Sequence, residues 1–89
     1  MLIIEVTNAE INVGIAGSIW KCPVALAIGK VVGRNNCSCS NTRIRIGTNM
    51  FEGPPEMDAF IKLFDSGKEV KPFTFTIDET KPLFSTETI

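Results

Sequence analysis

Residues 54–77 read PPEMDAFIKLFDSGKEVKPFTFTI, and this segment decides the fold because a helix signal is followed directly by a strand signal. The paired prolines suit the first turn of a helix, where main-chain N–H groups have no intrahelical acceptor. Apolar residues then recur at the spacing of one helical face: Met57, Phe60, Ile61 and Phe64. Gly67 favours the end of this helix, since glycine adopts positive φ without a steric penalty.

A strand follows the helix in the same segment. Phe73, Phe75 and Ile77 alternate with threonines, which is the two-residue period of a half-buried strand. We expect the helix face and the strand face to pack against each other, because both are rich in phenylalanine. Burying each large apolar side chain contributes about 1.5–3 kcal/mol, so this pair of elements is expected to supply much of the core.

The N-terminal part of the chain predicts a strand and then a short helix. Residues 1–7 alternate between apolar and polar positions, and Ile3 is apolar as well, so we place this strand in the centre of a sheet. Thr7 and Glu10 have the spacing of a capping box, which marks the start of a helix. We expect that helix to run to about residue 16.

Three further elements are predicted between these two regions. Residues 22–32 predict a largely buried second helix, because a proline suits its first turn and apolar residues lie nearly all round it. Residues 34–41 are polar and predict a loop. Residues 42–46 predict a strand with isoleucines on one face and arginines on the other, and residues 50–52 predict a short returning strand.

The predicted elements follow the order β-α-α-β-β-α-β, which indicates one small α+β domain over residues 1–79. We expect a three- to four-stranded, mostly antiparallel sheet with the helices mainly on one face. Residues 80–89 contain a proline and several threonines, and we expect this C-terminal tail to be mobile.

Composition narrows the class of protein. Hydrophobic residues make up 44% of the chain and charged residues 21%, which is typical of a globular protein and not of a disordered one. The net charge of −1 gives no overall attraction to nucleic acid or to an anionic membrane. No uncharged apolar run reaches the roughly 18 residues of a membrane span.

The cysteine count and the first residues bear on location. Residues 1–4 lack the basic region of a secretory signal. Three cysteines, an odd number, in a chain without such a signal favour a reducing compartment. We therefore expect the protein in the cytoplasm, or in the host cytoplasm if the gene is viral.

The chain contains neither histidine nor tyrosine, which removes the commonest general base and the commonest metal ligand. We therefore expect a protein that is not an enzyme and carries no cofactor. Cys22, Cys37 and Cys39 are the alternative metal ligands, but their spacing lacks the paired C-x-x-C of structural zinc sites. The favoured interpretation is a buried Cys22 at the start of a helix and two loop thiols.

Candidate binding residues cluster around the predicted arginine-bearing strand. Arg43 and Arg45 share one strand face, and Arg34 lies just upstream. Together with the connector residues Trp20 and Lys21, they form a candidate patch for phosphate, a nucleotide-like ligand or an acidic protein surface. The alternative is an ordinary solvated strand face. A site that binds single-stranded nucleic acid usually has aromatic side chains between its arginines, on which bases stack. The predicted strand has no aromatic residue.

Two segments carry a family resemblance. The first is CPVALA at residues 22–27, and the second is the paired prolines at 54–55 with FI at 60–61, FDSGK at 64–68 and PFTF at 72–75. Over about half of the chain, this sequence resembles short uncharacterised proteins of bacteriophages, prophages and some bacterial genomes. The resemblance implies a viral or mobile-element accessory protein and carries no active site with it.

Small size, the lack of catalytic groups, near-neutral charge and the resemblance favour a non-enzymatic protein that acts by binding a host component. The expected partner is a host protein that contacts an exposed sheet edge or face. A more specific version of this prediction is an inhibitor of a bacterial defence system. Three alternatives stay open: a small-ligand or nucleotide-binding protein, a nucleic-acid-binding module, and a small oxidoreductase-like or metal protein that uses the cysteines. Pairing of sheet edges in a homodimer is compatible with each.

Overall fold

A computed structural model of the protein describes residues 1–33, 37–40 and 42–85. Its helices are α1 (Asn8–Val13), α2 (Pro23–Val32) and α3 (Pro55–Asp65). Its strands are β1 (Leu2–Val6), β2 (Cys37–Ser40), β3 (Arg43–Ile46), β4 (Asn49–Glu52), β5 (Phe73–Ile77) and β6 (Phe84–Ser85). The predicted α+β class is confirmed.

The described strands form two antiparallel sheets, whereas the sequence predicted one. The smaller sheet is β1–β5, and the larger has the order β2-β3-β4-β6. Strand β2 corrects the prediction of a loop over residues 34–41. It forms because Cys37 and Cys39 pair with Ile46 and Ile44 of β3 and are buried with Ile44 in the core.

Strand β1 belongs to a two-stranded sheet and is therefore an edge strand, so its predicted central position is wrong. Among the described strands it pairs with β5 alone, with Leu2 opposite Ile77 and Val6 opposite Phe73. Ile4 and Val6 are buried, but Ile3 on the other face is 60% exposed. The apolar residue at position 3 therefore faces solvent and not a second layer.

The predicted packing between α3 and β5 is confirmed. The rings of Phe60 and Phe73 lie 4.9 Å apart between centroids, and those of Phe73 and Phe75 lie 5.6 Å apart. Met57 and Phe60 are buried on the same helix face. Gly67 follows the helix with a φ of 75°, which glycine adopts at low cost.

The ends of α1 and α2 are fixed by local chemistry. The predicted capping box is present: the Thr7 side chain accepts from the main-chain N–H of Glu10, and Glu10 Oε1 accepts from the main-chain N–H of Thr7 at 2.8 Å. The Thr7 hydroxyl donates a further hydrogen bond of 2.8 Å to the same oxygen. Helix α1 ends at Val13, three residues before the predicted end. Gly14 stops it in an extended conformation, and a Cβ there would lie 2.7 Å from the ring of Pro23.

Helix α2 holds the two sheets together, because it packs against both β1 and β2. The buried side chains form one core cluster: Ile4, Val6, Cys22, Val24, Ala25, Ala27, Ile28, Cys37, Cys39, Ile44, Phe51, Met57, Phe60, Phe75 and Ile77. Within the described ranges, no helix has the length and apolar character needed to span a membrane.

Part of the predicted tail is placed against the larger sheet. Leu83 donates its N–H to the carbonyl oxygen of Met50 at 2.7 Å, and β6 pairs with β4 beyond it. Residues 86–89 lie outside the described ranges. The mobility of the tail stays a prediction.

Candidate interaction site

The predicted arginine face is only partly a basic surface. Arg43 and Arg45 are exposed on β3. Arg43 Nε lies 3.7 Å from Glu52 Oε2 on the neighbouring strand, and Arg45 Nε donates a 3.0 Å hydrogen bond to the carbonyl oxygen of Gly47. Arg34 lies outside the described residues. The described part of this face carries both signs of charge, as a solvated strand face does.

Trp20 and Lys21 lie apart from these arginines. The main-chain N–H of Cys39 in β2 donates to the carbonyl of Ile19, so the connector runs along the outer edge of β2. The other edge of β2 pairs with β3. One strand therefore separates the connector from the arginines, and the described residues of the predicted patch fall into two groups.

The connector displays an unusual number of large apolar side chains. We call residues 13–21, which begin with the last residue of α1, the apolar loop. Its exposed hydrophobic residues are Val13, Ile15, Ile19 and Trp20, whose exposures lie between 45% and 69%. Single exposed apolar residues are common on protein surfaces, but contiguous groups mark interaction sites.

Hydrogen bonds within the loop fix its shape. Ile15 donates its N–H to the carbonyl of Lys21 at 2.8 Å, which closes the loop at its base. Lys21 in turn donates its N–H to Ser18 Oγ at 3.0 Å. Gly17 turns the chain with a φ of 80°, a conformation that other residues rarely adopt.

Two longer-range hydrogen bonds hold the loop on the body of the protein. Gly17 donates its N–H to Asp65 Oδ1 of α3 at 2.9 Å, and Ile19 accepts from Cys39 of β2 at 3.0 Å. Main-chain groups of the loop thus form hydrogen bonds to the rest of the protein, while the apolar side chains of the loop face solvent. A loop shaped in this way loses little conformational entropy when it binds a partner.

A groove of about 660 Å³ lies beside the loop, between Trp20, Lys21 and helix α2. Lys30 lines it as well, and its Nζ lies 3.1 Å from Glu10 Oε2. Burial alone would raise the pKa of Glu10. Hydrogen bonds from the N–H and hydroxyl of Thr7 and from Lys30 outweigh burial and hold that pKa below its usual value.

The three cysteines are all buried, which corrects the prediction that Cys37 and Cys39 are loop thiols. Cys22 is the N-cap of α2, as predicted, and its Sγ accepts a hydrogen bond from the N–H of Ala25 at 3.5 Å. No disulfide joins these cysteines. Among the described residues, no three cysteine or carboxylate side chains are gathered closely enough to hold a metal ion.

Comparison of the chain with protein-family models, with curated proteins and with solved structures gave no match. The resemblance to phage-type proteins stays a prediction.

Sequence reasoning found Trp20 and Lys21 but missed the other members of the loop. The sequence predicts that Ile15 lies in the first helix, which is expected to run to about residue 16, and the candidate patch does not include Ile19. The sequence signal for this loop lies in residues 13–21, where apolar residues stand among glycines and a serine. They follow neither the helical period nor the strand period.

Proposed function

We propose that the protein is a non-enzymatic binding protein that engages another protein through the apolar loop. The observation that supports the proposal is the exposure of four large apolar side chains on a main chain that is hydrogen-bonded to α3 and β2. Apolar side chains exposed on an ordered main chain are typical of a preorganised binding surface.

The chemistry of the loop suits a protein partner. Trp20 is half exposed, and tryptophan is among the residues that most often anchor protein interfaces. Ile15 and Ile19 supply apolar area around that anchor, and Lys21 supplies a charge at its rim. The complementary surface is an apolar pocket for the indole with carboxylates at its edge.

The host-directed form of the proposal rests on the resemblance described above. If the chain is encoded by a phage or mobile element, its partner is a host protein. The most specific form of the proposal is that binding inhibits a bacterial defence system. The absence of histidine and tyrosine supports action by occupancy and not by turnover.

Affinity purification from bacterial lysate with matched variants tests this proposal. The test variant is Ile19→Ser with Trp20→Ala, and the control is Leu63→Ser, which removes a similarly exposed apolar side chain on α3. We expect wild type and control to recover the same protein in stoichiometric amount and the loop variant to lose it.

Two results of the purification would count against the proposal. One is that wild type recovers no stoichiometric protein. The other is that Leu63→Ser loses the partner while the loop variant keeps it. The second result would place the interface at the groove that Leu63 lines with Val70 and Phe73. Sedimentation of purified protein adds a further test, because dimerisation abolished by the loop variant would make a second copy the occupant.

A nucleotide-like ligand is a second candidate, favoured by the groove beside Trp20. An indole for stacking and the ammonium group of Lys21 are the kinds of group that bind a base and a phosphate, whereas the Lys30 ammonium is already paired with Glu10. Native mass spectrometry of the purified protein is expected to show added mass that Lys21→Ala loses and Lys81→Ala retains. An unliganded mass for wild type would exclude tight binding of this kind.

A further inference from the structure

Strand β5 has one free edge. Its other edge pairs with β1 over the whole strand, from Phe73 to Ile77. Among the described residues, no main-chain hydrogen bond joins β5 to any element besides β1. In an antiparallel pair, alternate residues direct their N–H and C=O groups away from the neighbouring strand. Strand β5 therefore presents a row of main-chain donors and acceptors with which another strand can pair.

The other described strand edges are covered, short or charged. The apolar loop covers the outer edge of β2 through the hydrogen bond from Cys39 to Ile19, and β6, which ends the larger sheet, has only two residues. Strand β1 exposes the charge of Glu5, which opposes pairing with another strand. Strand β5 has the sequence FTFTI and pairs with β1 without a bulge. It therefore lacks the charge, proline or bulge that usually blocks an edge.

The charges that flank β5 favour pairing with a second copy of the same strand. Lys71 precedes β5, and Asp78 and Glu79 follow it. When two β5 strands pair antiparallel about a two-fold axis at Phe75, Lys71 of each copy lies alongside Asp78 and Glu79 of the other. Opposite charges placed across antiparallel strands stabilise the pair. Each end of the strand is thus complementary in charge to the other end.

Neighbouring registers lose this complementarity. An axis at Thr76 would place Lys71 opposite Lys81 of the second copy, so that like charges would meet. An axis at Thr74 would place Lys71 opposite the apolar Ile77. A shift by a single residue would set the exposed threonines of one copy against the buried apolar residues of the other. The register about Phe75 is therefore the favoured one.

The favoured register also continues both faces of the smaller sheet. On the buried face, Phe75 meets Phe75 of the second copy, and Ile4 lies opposite Phe75 within each copy. On the exposed face, Thr74 lies opposite Thr76 of the second copy. Aromatic pairs and threonine pairs across strands both stabilise a sheet. The two-stranded sheet would thus become a sheet of four strands with one apolar face.

We propose that the protein forms a homodimer in which the free edges of two β5 strands pair antiparallel about Phe75. The order of the joined sheet is β1-β5-β5-β1. The pairing uses no residue of the apolar loop, so it goes beyond the proposed protein-binding function and does not depend on it. The dimer displays two apolar loops related by the two-fold axis.

Sedimentation equilibrium of the purified protein tests this pairing with variants of opposite charge. Thr74→Lys with Thr76→Lys places like charges opposite each other between the two copies, and Thr74→Glu with Thr76→Glu does the same with the other sign. We expect wild type to be a dimer and each double variant to raise the dissociation constant of the dimer by about tenfold or more. An equimolar mixture of the two variants should recover the wild-type dissociation constant, because opposite charges then face each other.

The matched control is Ile3→Lys with Glu5→Lys. These positions lie on the same exposed face, opposite Thr76 and Thr74 of the same chain, and are one strand away from the proposed interface. We expect this control to dimerise as wild type does. The loop variant used in the purification should also stay dimeric, so that a failure of the dimer and a failure of the protein-binding proposal are separate results.

Four results would overturn the pairing of β5. The first is a wild-type protein that stays monomeric at millimolar concentration. The second is a dimer that neither β5 variant weakens, and the third is a dimer that the β1 control or the loop variant abolishes. The fourth is loss of the dimer in both β5 variants without recovery on mixing. Because recovery on mixing requires two folded chains, unfolding of a variant cannot imitate it.

Discussion

The main-chain N–H of Cys39 donates a 3.0 Å hydrogen bond to the carbonyl oxygen of Ile19. Strand β2 therefore holds the apolar loop through the main chain of Cys39, while the Cys39 side chain lies buried in the core. Substitution of that side chain should leave this hydrogen bond in place.

Asp65 is expected to order the apolar loop from α3. Asp65→Ala removes the acceptor of the Gly17 N–H, whereas Asp65→Asn keeps an oxygen at that position. For Asp65→Ala we expect faster hydrogen exchange at the Gly17 amide and a loss of about 1 kcal/mol of unfolding free energy. Asp65→Asn should show neither effect. NMR-detected exchange measures the first effect and urea unfolding the second. Equal protection in both variants would show that Asp65 does not hold the loop.

Gly14 is required where α1 meets α2. A Cβ at this position would lie 2.7 Å from the Pro23 ring and 3.0 Å from the carbonyl oxygen of Glu10, and neither group yields easily. We expect Gly14→Ala to lower the free energy of unfolding by about 2 kcal/mol. Gly17→Ala is the comparison, because it has open space but positive φ and should lose only about 1 kcal/mol. Urea unfolding measures the free energy of unfolding of both variants. An equal loss in the two variants would refute the steric argument.

Glu10 gives the stability of the protein a pH dependence. Its pKa is lowered in the folded state, so its contribution is present above the unfolded pKa and is lost as pH falls through the folded pKa. Glu10→Gln keeps a capping oxygen but loses the charge that faces Lys30. We expect it to lose about 1 kcal/mol at pH 7.

The pH series gives the diagnostic result for Glu10. The difference in unfolding free energy between wild type and Glu10→Gln should shrink as the pH falls below the ordinary glutamate pKa of about 4.3, because the folded-state pKa of Glu10 lies lower still and its charge is lost only there. Urea unfolding at several pH values measures this difference. A difference that stays constant down to pH 2 would contradict a role for the charge.

Local signals predicted the elements that local chemistry fixes. The capping pair of Thr7 and Glu10 and the alternating phenylalanines of β5 each act within a few residues, so the sequence carries them directly. Strand β2 escapes prediction because its serines and thiols have no strong preference for strand. The sequence signal for it is the alternation of Cys37 and Cys39 with serines at period two.

Long-range relationships could not be predicted in the same way. The hydrophobic pattern does not predict whether β1 and β5 join the larger sheet. That depends on how α2 packs against β1 of the smaller sheet and β2 of the larger one. The exposure of Ile3 follows from this division. The apolar loop depends on hydrogen bonds from Asp65 and Cys39, and no spacing rule connects those residues with Gly17 and Ile19.

The most direct test of the central claim is the affinity of the recovered partner for Trp20→Ala, measured by calorimetry beside Leu63→Ala. Both variants truncate one exposed apolar side chain. If Trp20 is the anchor, its truncation should cost at least about 2 kcal/mol, or roughly 30-fold in Kd, while Leu63→Ala should change Kd by less than about threefold. Equal affinities of the two variants would contradict binding through the apolar loop.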